Sequence, residues 1–285
     1  YQNNIHERML PASTTKILTC ITAIEHYQLD DFVVINSEVL KTEGSSIYLE
    51  VGDVISIKDL LYGLMLCSGN DAANALALHY SGNMQDFIFL MNETAKKIGM
   101  HNSTFENPHG LDTTTKNYTT TYDMALLMSY AMKNETFKDI TSTKDYNPTI
   151  ISGKKMYYHN KHRLIQNDEK VTGGKTGYTK NAKRTLVTSF KQEDFEIVTF
   201  NCSDDWNVHE GLANYCFTKY KQKRILSKFD VLFYASFNNG YVIESEKLLL
   251  PLMENETINY KIYEDNDSIR IIYFINEEEV GDVTF

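Results

Sequence analysis

The chain has 285 residues, 42% of them hydrophobic and 23% charged, with a formal net charge of −10. That length supports one large domain or two unequal ones around a sizeable core, and the composition excludes a disordered chain. The acidic balance offers no basic stripe to neutralise phosphates, which argues against nucleic acid, and no apolar run reaches the ~18 residues of a membrane span.

Tyr1-Gln2-Asn3-Asn4 shows no signal peptide and does not read as a natural start. A processed or trimmed chain is expected, its targeting segment removed. Pro11 suits the start of a helix, and Ile17, Leu18, Ile21 and Ile24 then share one side of it. Ser13 and Lys16 stand about 60° apart around that helix axis, on one face. A lysine partly desolvated there can lose its proton near neutrality and take the proton of the serine. The unpaired N–H groups of the helix start would lie beside the developing oxyanion. On its own the pair reads first as an N-capping serine with a solvated lysine one turn on.

Asp30 to Val39 reads as a short strand and turn. Ile47–Leu49 and Val54-Ile55 flank the turn Val51-Gly52-Asp53 and predict a small hairpin. Ser56, with Asp59 three residues later, caps a helix carrying Leu60, Leu61, Leu64 and Met65. Gly69 breaks it within Cys67-Ser68-Gly69-Asn70-Asp71, and a second helix follows at Ala72. A third spans Met84 to Ile98, closed by Gly99 with Lys96 and Lys97 in its last turn. Asn107-Pro108-His109-Gly110-Leu111-Asp112 is a turn-rich loop, Thr121 to Met132 a helix, and residues 140–170 irregular or weakly extended. Glycines punctuate Val171 to Thr179. Thr185–Phe190 and Phe195–Asn201 form a hairpin, and Asn207 to Lys221 is amphipathic. Beyond Lys223 short strands follow at Val231–Tyr234, Tyr241–Ile243, Ile258–Tyr263 and Ile269–Ile275. Residues 1–221 are thus expected to form one domain and 222–285 a small β-rich one, stopping at Phe285 inside a strand-like pattern. Cys20, Cys67, Cys202 and Cys216 are scattered without a C-x-x-C, so no structural zinc is expected. Cys20 and Cys67 read as buried free thiols.

Three signatures stand in order: Ser13-Thr14-Thr15-Lys16, Ser68-Gly69-Asn70 and Lys175-Thr176-Gly177. Each alone is unspecific. Together, each at a helix or strand boundary, they form the set S-x-x-K, S-x-N and K-T-G known from penicillin-binding proteins and class A β-lactamases. The likeness extends to Met9-Leu10-Pro11-Ala12, Leu66-Cys67, Asp71-Ala72-Ala73, Asn107-Pro108-His109-Gly110-Leu111 and Gly174 through Thr179. On these residues the chain resembles the serine-type D-alanyl-D-alanine carboxypeptidases of peptidase family S11, low-molecular-mass penicillin-binding proteins, over roughly residues 5–220. The Ser-Gly-Asn form points to the peptidases rather than the class A β-lactamases.

The resemblance implies an α/β (α+β) fold of the DD-peptidase/β-lactamase type: an antiparallel sheet flanked by helices plus an all-helical lobe, followed by the small all-β domain. It implies removal of the terminal D-alanine from peptidoglycan stem pentapeptides through an acyl-enzyme. Ser13 would be the nucleophile, Lys16 its general base and Ser68 the proton relay to the leaving nitrogen. Asn70 would bond the substrate amide and hold Lys16. Lys175 and Thr176 would attract the terminal carboxylate, Gly177 would let the strand approach the substrate, and the N–H groups of Ser13 and Tyr178 would form the oxyanion hole. The resemblance implies no cofactor and no metal. It implies β-lactams as covalent inhibitors and a place on the wall side of the bacterial membrane. A β-lactamase and a non-catalytic penicillin-binding sensor or scaffold are the alternatives.

Two departures stand out. Only twelve residues precede Ser13, where the family has strand residues of the central sheet. Where the family often places a carboxylate-binding arginine, this chain has Asp204-Asp205-Trp206-Asn207-Val208-His209. His209 reads as a surface residue, Lys183-Arg184 as a solvated pair, and His109 as a loop-packing or turn-bonding residue. His159 and His162 have helical ligand spacing but no third partner.

Overall fold

Every side chain from Lys16 to Ala23 is buried, so α1 (Lys16–His26) is enclosed on all sides rather than on the one its apolar spacing predicts. Its polar residues need internal partners, and Thr19 donates to the carbonyl of Pro108 at 2.6 Å. A 3-10 turn, Ala12–Thr15, precedes α1 and carries Ser13, with Pro11 at its cap. The serine therefore lies ahead of the α-helix, after an Ala12 held at φ +49°. The computed structural model describes residues 2–191, 195–226, 248–253, 256–265 and 268–284.

Around α1 pack α2 (Ile57–Leu66), α3 (Asn70–Ser81), α4 (Met84–Ile98) and α5 (Thr121–Ala131). Their ends follow local rules. Ser56 caps α2 by accepting from Asp59 N, Thr120 caps α5 by accepting from Asp123 N, and Gly82 and Gly99 close α3 and α4 at φ +77° and +94°. Leu60, Leu61, Leu64 and Leu66 are fully buried among these helices, where truncation of one leucine to alanine costs about 2–5 kcal/mol. Residues 140–170 are not wholly irregular: α6 (Glu135–Ser142), capped by Asn134 and burying Phe137 and Ile140 on one face, runs into that stretch, and the short α7 (Arg163–Asn167) lies within it.

The first ladder differs from the expected hairpin. β1 (Phe32–Val34) pairs antiparallel with β2 (Val54–Ser56), Val33 opposite Ile55. Ile47 and Leu49 form no strand because the Asp71 carboxylate takes both their backbone N–H groups at 3.0 and 3.1 Å. β3 (Asp145–Tyr146) and β4 (Tyr158–His159) make a second short ladder. The main sheet is antiparallel, in the order β5 (Val171–Thr179), β6 (Lys183–Phe190), β7 (Phe195–Phe200). Neighbouring residues of β6 face opposite ways. Val187, with Val198 opposite it, joins the helical core, whereas Thr188 meets His209 of α8 (Asp205–Lys219). Helices thus cover both faces.

The chain divides into two compact units, Tyr1–Ala213 and Asn214–Phe285. In the second, β8 (Tyr220–Leu226) pairs with β9 (Leu248–Met253), and β10 (Ile258–Asp265), β11 (Ser268–Ile275) and β12 (Glu278–Thr284) form an antiparallel sheet in that order. The strands predicted at Val231–Tyr234 and Tyr241–Ile243 lie outside the described residues.

Candidate active site

The 3-10 turn, the start of α3 and one loop converge on Lys16 Nζ. Lys16 is fully buried, and its Nζ lies 3.0 Å from Ser13 Oγ, 2.8 Å from Asn70 Oδ1 and 2.7 Å from the carbonyl oxygen of His109. Burial first, and then the positive charges of Lys175 and Lys161, hold its pKa well below the usual lysine range, with Asp71 opposing. An uncharged amine keeps two N–H groups. Asn70 Oδ1 and the His109 carbonyl can only accept, so they take both. The lone pair is left facing Ser13 Oγ, whose hydroxyl can donate to it. This geometry allows the amine to deprotonate the serine.

Each partner is fixed by its own surroundings. Asn70 Nδ2 donates to the Glu43 carbonyl at 2.5 Å, which settles the amide orientation and leaves one N–H of that group for other use. The Asn70 backbone N–H donates to Ser45 at 2.7 Å. Asp71 accepts from Ser46 Oγ and gathers residues 46–49 over the start of α3. The His109 carbonyl is placed by a close approach: a Cβ on Gly110 would stand 1.8 Å from Ala12 O, at a φ of +90° that already favours glycine. Asn107 Oδ1 takes the Gly110 N–H at 2.7 Å, and Asn117 ties this loop to Thr15 at 3.0 Å. The His109 ring accepts the turn bond from Leu111 N at 3.1 Å, and burial pushes its pKa down to about 3.

Ser68 sits between α2 and α3 at φ +62°, a costly value for a residue with a side chain, and it is 4% exposed. Its Oγ has no hydrogen-bond partner among the described residues. On β5, Lys175 is 1% exposed and donates to its neighbour's carbonyl, Thr176 O, at 3.0 Å. Burial and then Lys161 lower its pKa to about 7, with Cys67 opposing. Gly177 lies against the serine turn, since a Cβ there would stand 2.8 Å from Ser13 N and 2.4 Å from Thr185 Oγ1. Thr185 in turn donates to Pro11 O at 2.9 Å. Thr176 is half-buried beside Lys175, and Tyr178 is 64% exposed opposite Arg184 in the ladder.

Several sequence expectations change. His209 is not on the surface: it is fully buried, with Nδ1 2.8 Å from Thr188 Oγ1 and Nε2 3.0 Å from Thr199 Oγ1. Arg184 is not a freely solvated partner of Lys183, because it is held by Asp205 at 2.7 Å and lies over the Trp206 ring. His159 bonds Asp145 at 2.6 Å, and His162 lies 3.0 Å from Thr188 Oγ1, so each ring has an organic partner. Among the described residues no three His, Cys, Asp or Glu gather as a metal site would need. All four cysteines are free, Cys20 buried and Cys67 only half so. The contributions of the His109 carbonyl, Asp71 and the Glu43–Ser45 backbone are absent from the motif reading. Two acted through main-chain atoms, and only Gly110 in a turn-rich stretch hinted at one of them.

A family model described as D-alanyl-D-alanine carboxypeptidase matches residues 1–203. The chain is 36% identical over 203 residues to the D-alanyl-D-alanine carboxypeptidase DacF of Bacillus subtilis, covering 70% of this chain and 52% of that one. To DacC of Escherichia coli it is 35% identical over 210 residues, 70% of this chain and 51% of that one. It thus spans about half the length of these curated relatives. The crystal structure of the Streptomyces K15 DD-transpeptidase superposes with a TM-score of 0.67 at 30% identity, covering 75% and 91% of the two chains. The D-alanyl-D-alanine carboxypeptidase of Mycobacterium tuberculosis gives 0.70 at 27% identity, covering 76% and 84%.

Proposed function

The chain belongs to the D-alanyl-D-alanine carboxypeptidase family, and we propose from this that it is a serine peptidase removing the terminal D-alanine of peptidoglycan stem pentapeptides. One observation carries the reading: the buried Lys16 amine touches Ser13 Oγ while its other contacts are acceptors only. Ser13 Oγ attacks the carbonyl of the penultimate D-alanine as Lys16 takes its proton. The N–H groups of Ser13 and Tyr178 meet the oxyanion, where one such donor is worth about 3–4 kcal/mol. The proton passes through Ser68 to the leaving nitrogen, and D-alanine departs. Lys16 then activates a water that hydrolyses the ester and restores Ser13. Asn70 keeps one N–H for the substrate amide, Lys175 and Thr176 meet the terminal carboxylate, and Gly177 lets β5 run close to the peptide.

A β-lactam presents a similar acyl group and carboxylate and acylates Ser13 as a covalent inhibitor. The setting is the wall side of the membrane, on an exported protein associated with the membrane through a segment outside this sequence, with a role in cell-wall maturation and cell shape. In this reading residues 1–221 carry the chemistry and 222–285 form an accessory β-rich domain. Release of D-alanine from diacetyl-Lys-D-Ala-D-Ala and labelling by a fluorescent penicillin test the reading. Both are expected from the unsubstituted protein, and Ser13→Ala abolishes both. Labelling that persists in Ser13→Ala, or labelling without D-alanine release, overturns it.

A further inference from the structure

Behind the Lys175 strand lies a buried polar chain that the peptidase chemistry above does not use. His162, Thr188 and His209 are each at most 1% exposed. His162 Nε2 lies 3.1 Å from the Val187 carbonyl oxygen and 3.0 Å from Thr188 Oγ1. The carbonyl can only accept, so Nε2 carries the hydrogen. The Thr188 hydroxyl is then free to donate to His209 Nδ1 at 2.8 Å, and His209 Nε2–H donates to Thr199 Oγ1 at 3.0 Å. The chain thus has one direction, from the β5 side to α8 and back to β7. His162 Nδ1 has no hydrogen-bond partner among the described residues, so the ring is oriented from its Nε2 side and by edge contact with Trp206 at 5.2 Å.

The ring rests on one particular residue of β5. A Cβ at Gly174 would stand 2.6 Å from His162 Nε2 and 2.8 Å from Cδ2, so only glycine admits the imidazole there. Gly174 is also bonded to α6, where Thr141 Oγ1 accepts from its N–H at 3.0 Å and donates to its carbonyl at 3.1 Å. The residue immediately before Lys175 is therefore held by a hydroxyl and by a ring. Burial keeps both imidazoles uncharged at neutral pH, their pKa values pushed down to about 3. A charged ring beside Gly174 would repel the Lys175 ammonium.

We propose that His162, held through Thr188 by His209, is a positioning residue for Lys175: it fixes the backbone at Gly174 and so the place of the ammonium that meets a substrate or β-lactam carboxylate. The inference rests on the carboxylate-binding reading of Lys175 given above. Thr188→Val removes the hydroxyl that joins the two rings at nearly constant volume, and Thr188→Ser keeps it. The measurements are the second-order rate of acylation by benzylpenicillin and, separately, the lifetime of the acyl-enzyme. In Thr188→Val acylation falls about tenfold, the lifetime is unchanged, and Thr188→Ser restores the rate. A purely structural role would lower both steps together. If Thr188→Val does not fold, His209→Leu cuts the chain at its far end and acylation falls several-fold with the same unchanged lifetime. Acylation within twofold of the unsubstituted protein in a folded variant, or a parallel loss of both steps that Ser does not restore, overturns the inference alone. An unsubstituted protein that takes no penicillin label removes the peptidase reading, and this inference with it.

Discussion

The two walls of the site each bury a lysine, and they treat it in opposite ways. On the helical wall, the Lys16 amine spends both N–H groups on Asn70 and His109 and turns its lone pair to Ser13, partners supplied by α3, the 107–117 loop and the 3-10 turn. On the strand wall, Lys175 is almost as deeply buried, yet among the described residues it donates to its neighbour's carbonyl, Thr176 O. An ammonium has three N–H groups, so two remain for a guest. Similar burial thus leads to two chemistries. The saturated lysine has its proton set from inside the protein. The under-used one keeps N–H groups that, in the proposed function, meet a carboxylate.

This contrast breaks most sharply at Lys16. Lys16→Met should lower penicillin acylation by about 10³- to 10⁴-fold, whatever charge the ligand carries, because it removes the group that the proposed function makes the base. Stopped-flow labelling measures it. Lys175→Met should cost less, about 10- to 100-fold, the worth of a charge-assisted hydrogen bond of ~1.5–3 kcal/mol. The loss should shrink for a peptide whose C-terminal carboxylate is amidated. Equal losses on both ligands would erase the distinction between the walls. The smallest effect concerns the support behind the strand wall. His162 and His209 have folded pKa values near 3 against 6.5 for a free imidazole. Below pH 6.5 the unfolded chain binds protons that the folded chain refuses, so stability falls as pH drops from about 6.5 towards 3. Melting temperatures between pH 7 and 4 should show this decline, and His209→Gln should flatten it by the share of one imidazole.

What the sequence made legible was local. Met84 to Ile98 is read to its last residue because an apolar stripe, two terminal lysines and Gly99 all act within the helix itself. The three signatures stand where local breaks put them, at the 3-10 turn, the α2–α3 junction and the strand β5. What was not legible acts across long separations. Ile47 and Leu49 look like strand residues, yet Asp71 claims their amides from more than twenty positions away. His209 looks exposed because nothing nearby announces Thr188 and Thr199. The His109 carbonyl is invisible for another reason, since every residue carries the same group and only the fold chooses which one faces Lys16.

The Gly110–Ala12 contact bears on the order in which the site can assemble. Lys16 reaches Asn70 and His109 across 54 and 93 residues, and Thr185 reaches Pro11 across 174. Each closure costs loop entropy before it yields any contact, so such long-range geometry matures late in folding. Ser13 precedes Asn70, His109 and Thr185 in the chain, so during synthesis it is made before them and is at first an ordinary alcohol. In the proposed function it gains its base only when Asn70 and His109 have closed on Lys16, and the turn that carries it is tied down by β6 through Thr185 and Pro11. On that reading, reactivity at Ser13 reports on contacts closed over long stretches of chain, and a chain cut short before His109 would carry the serine without one of the acceptors that orient Lys16.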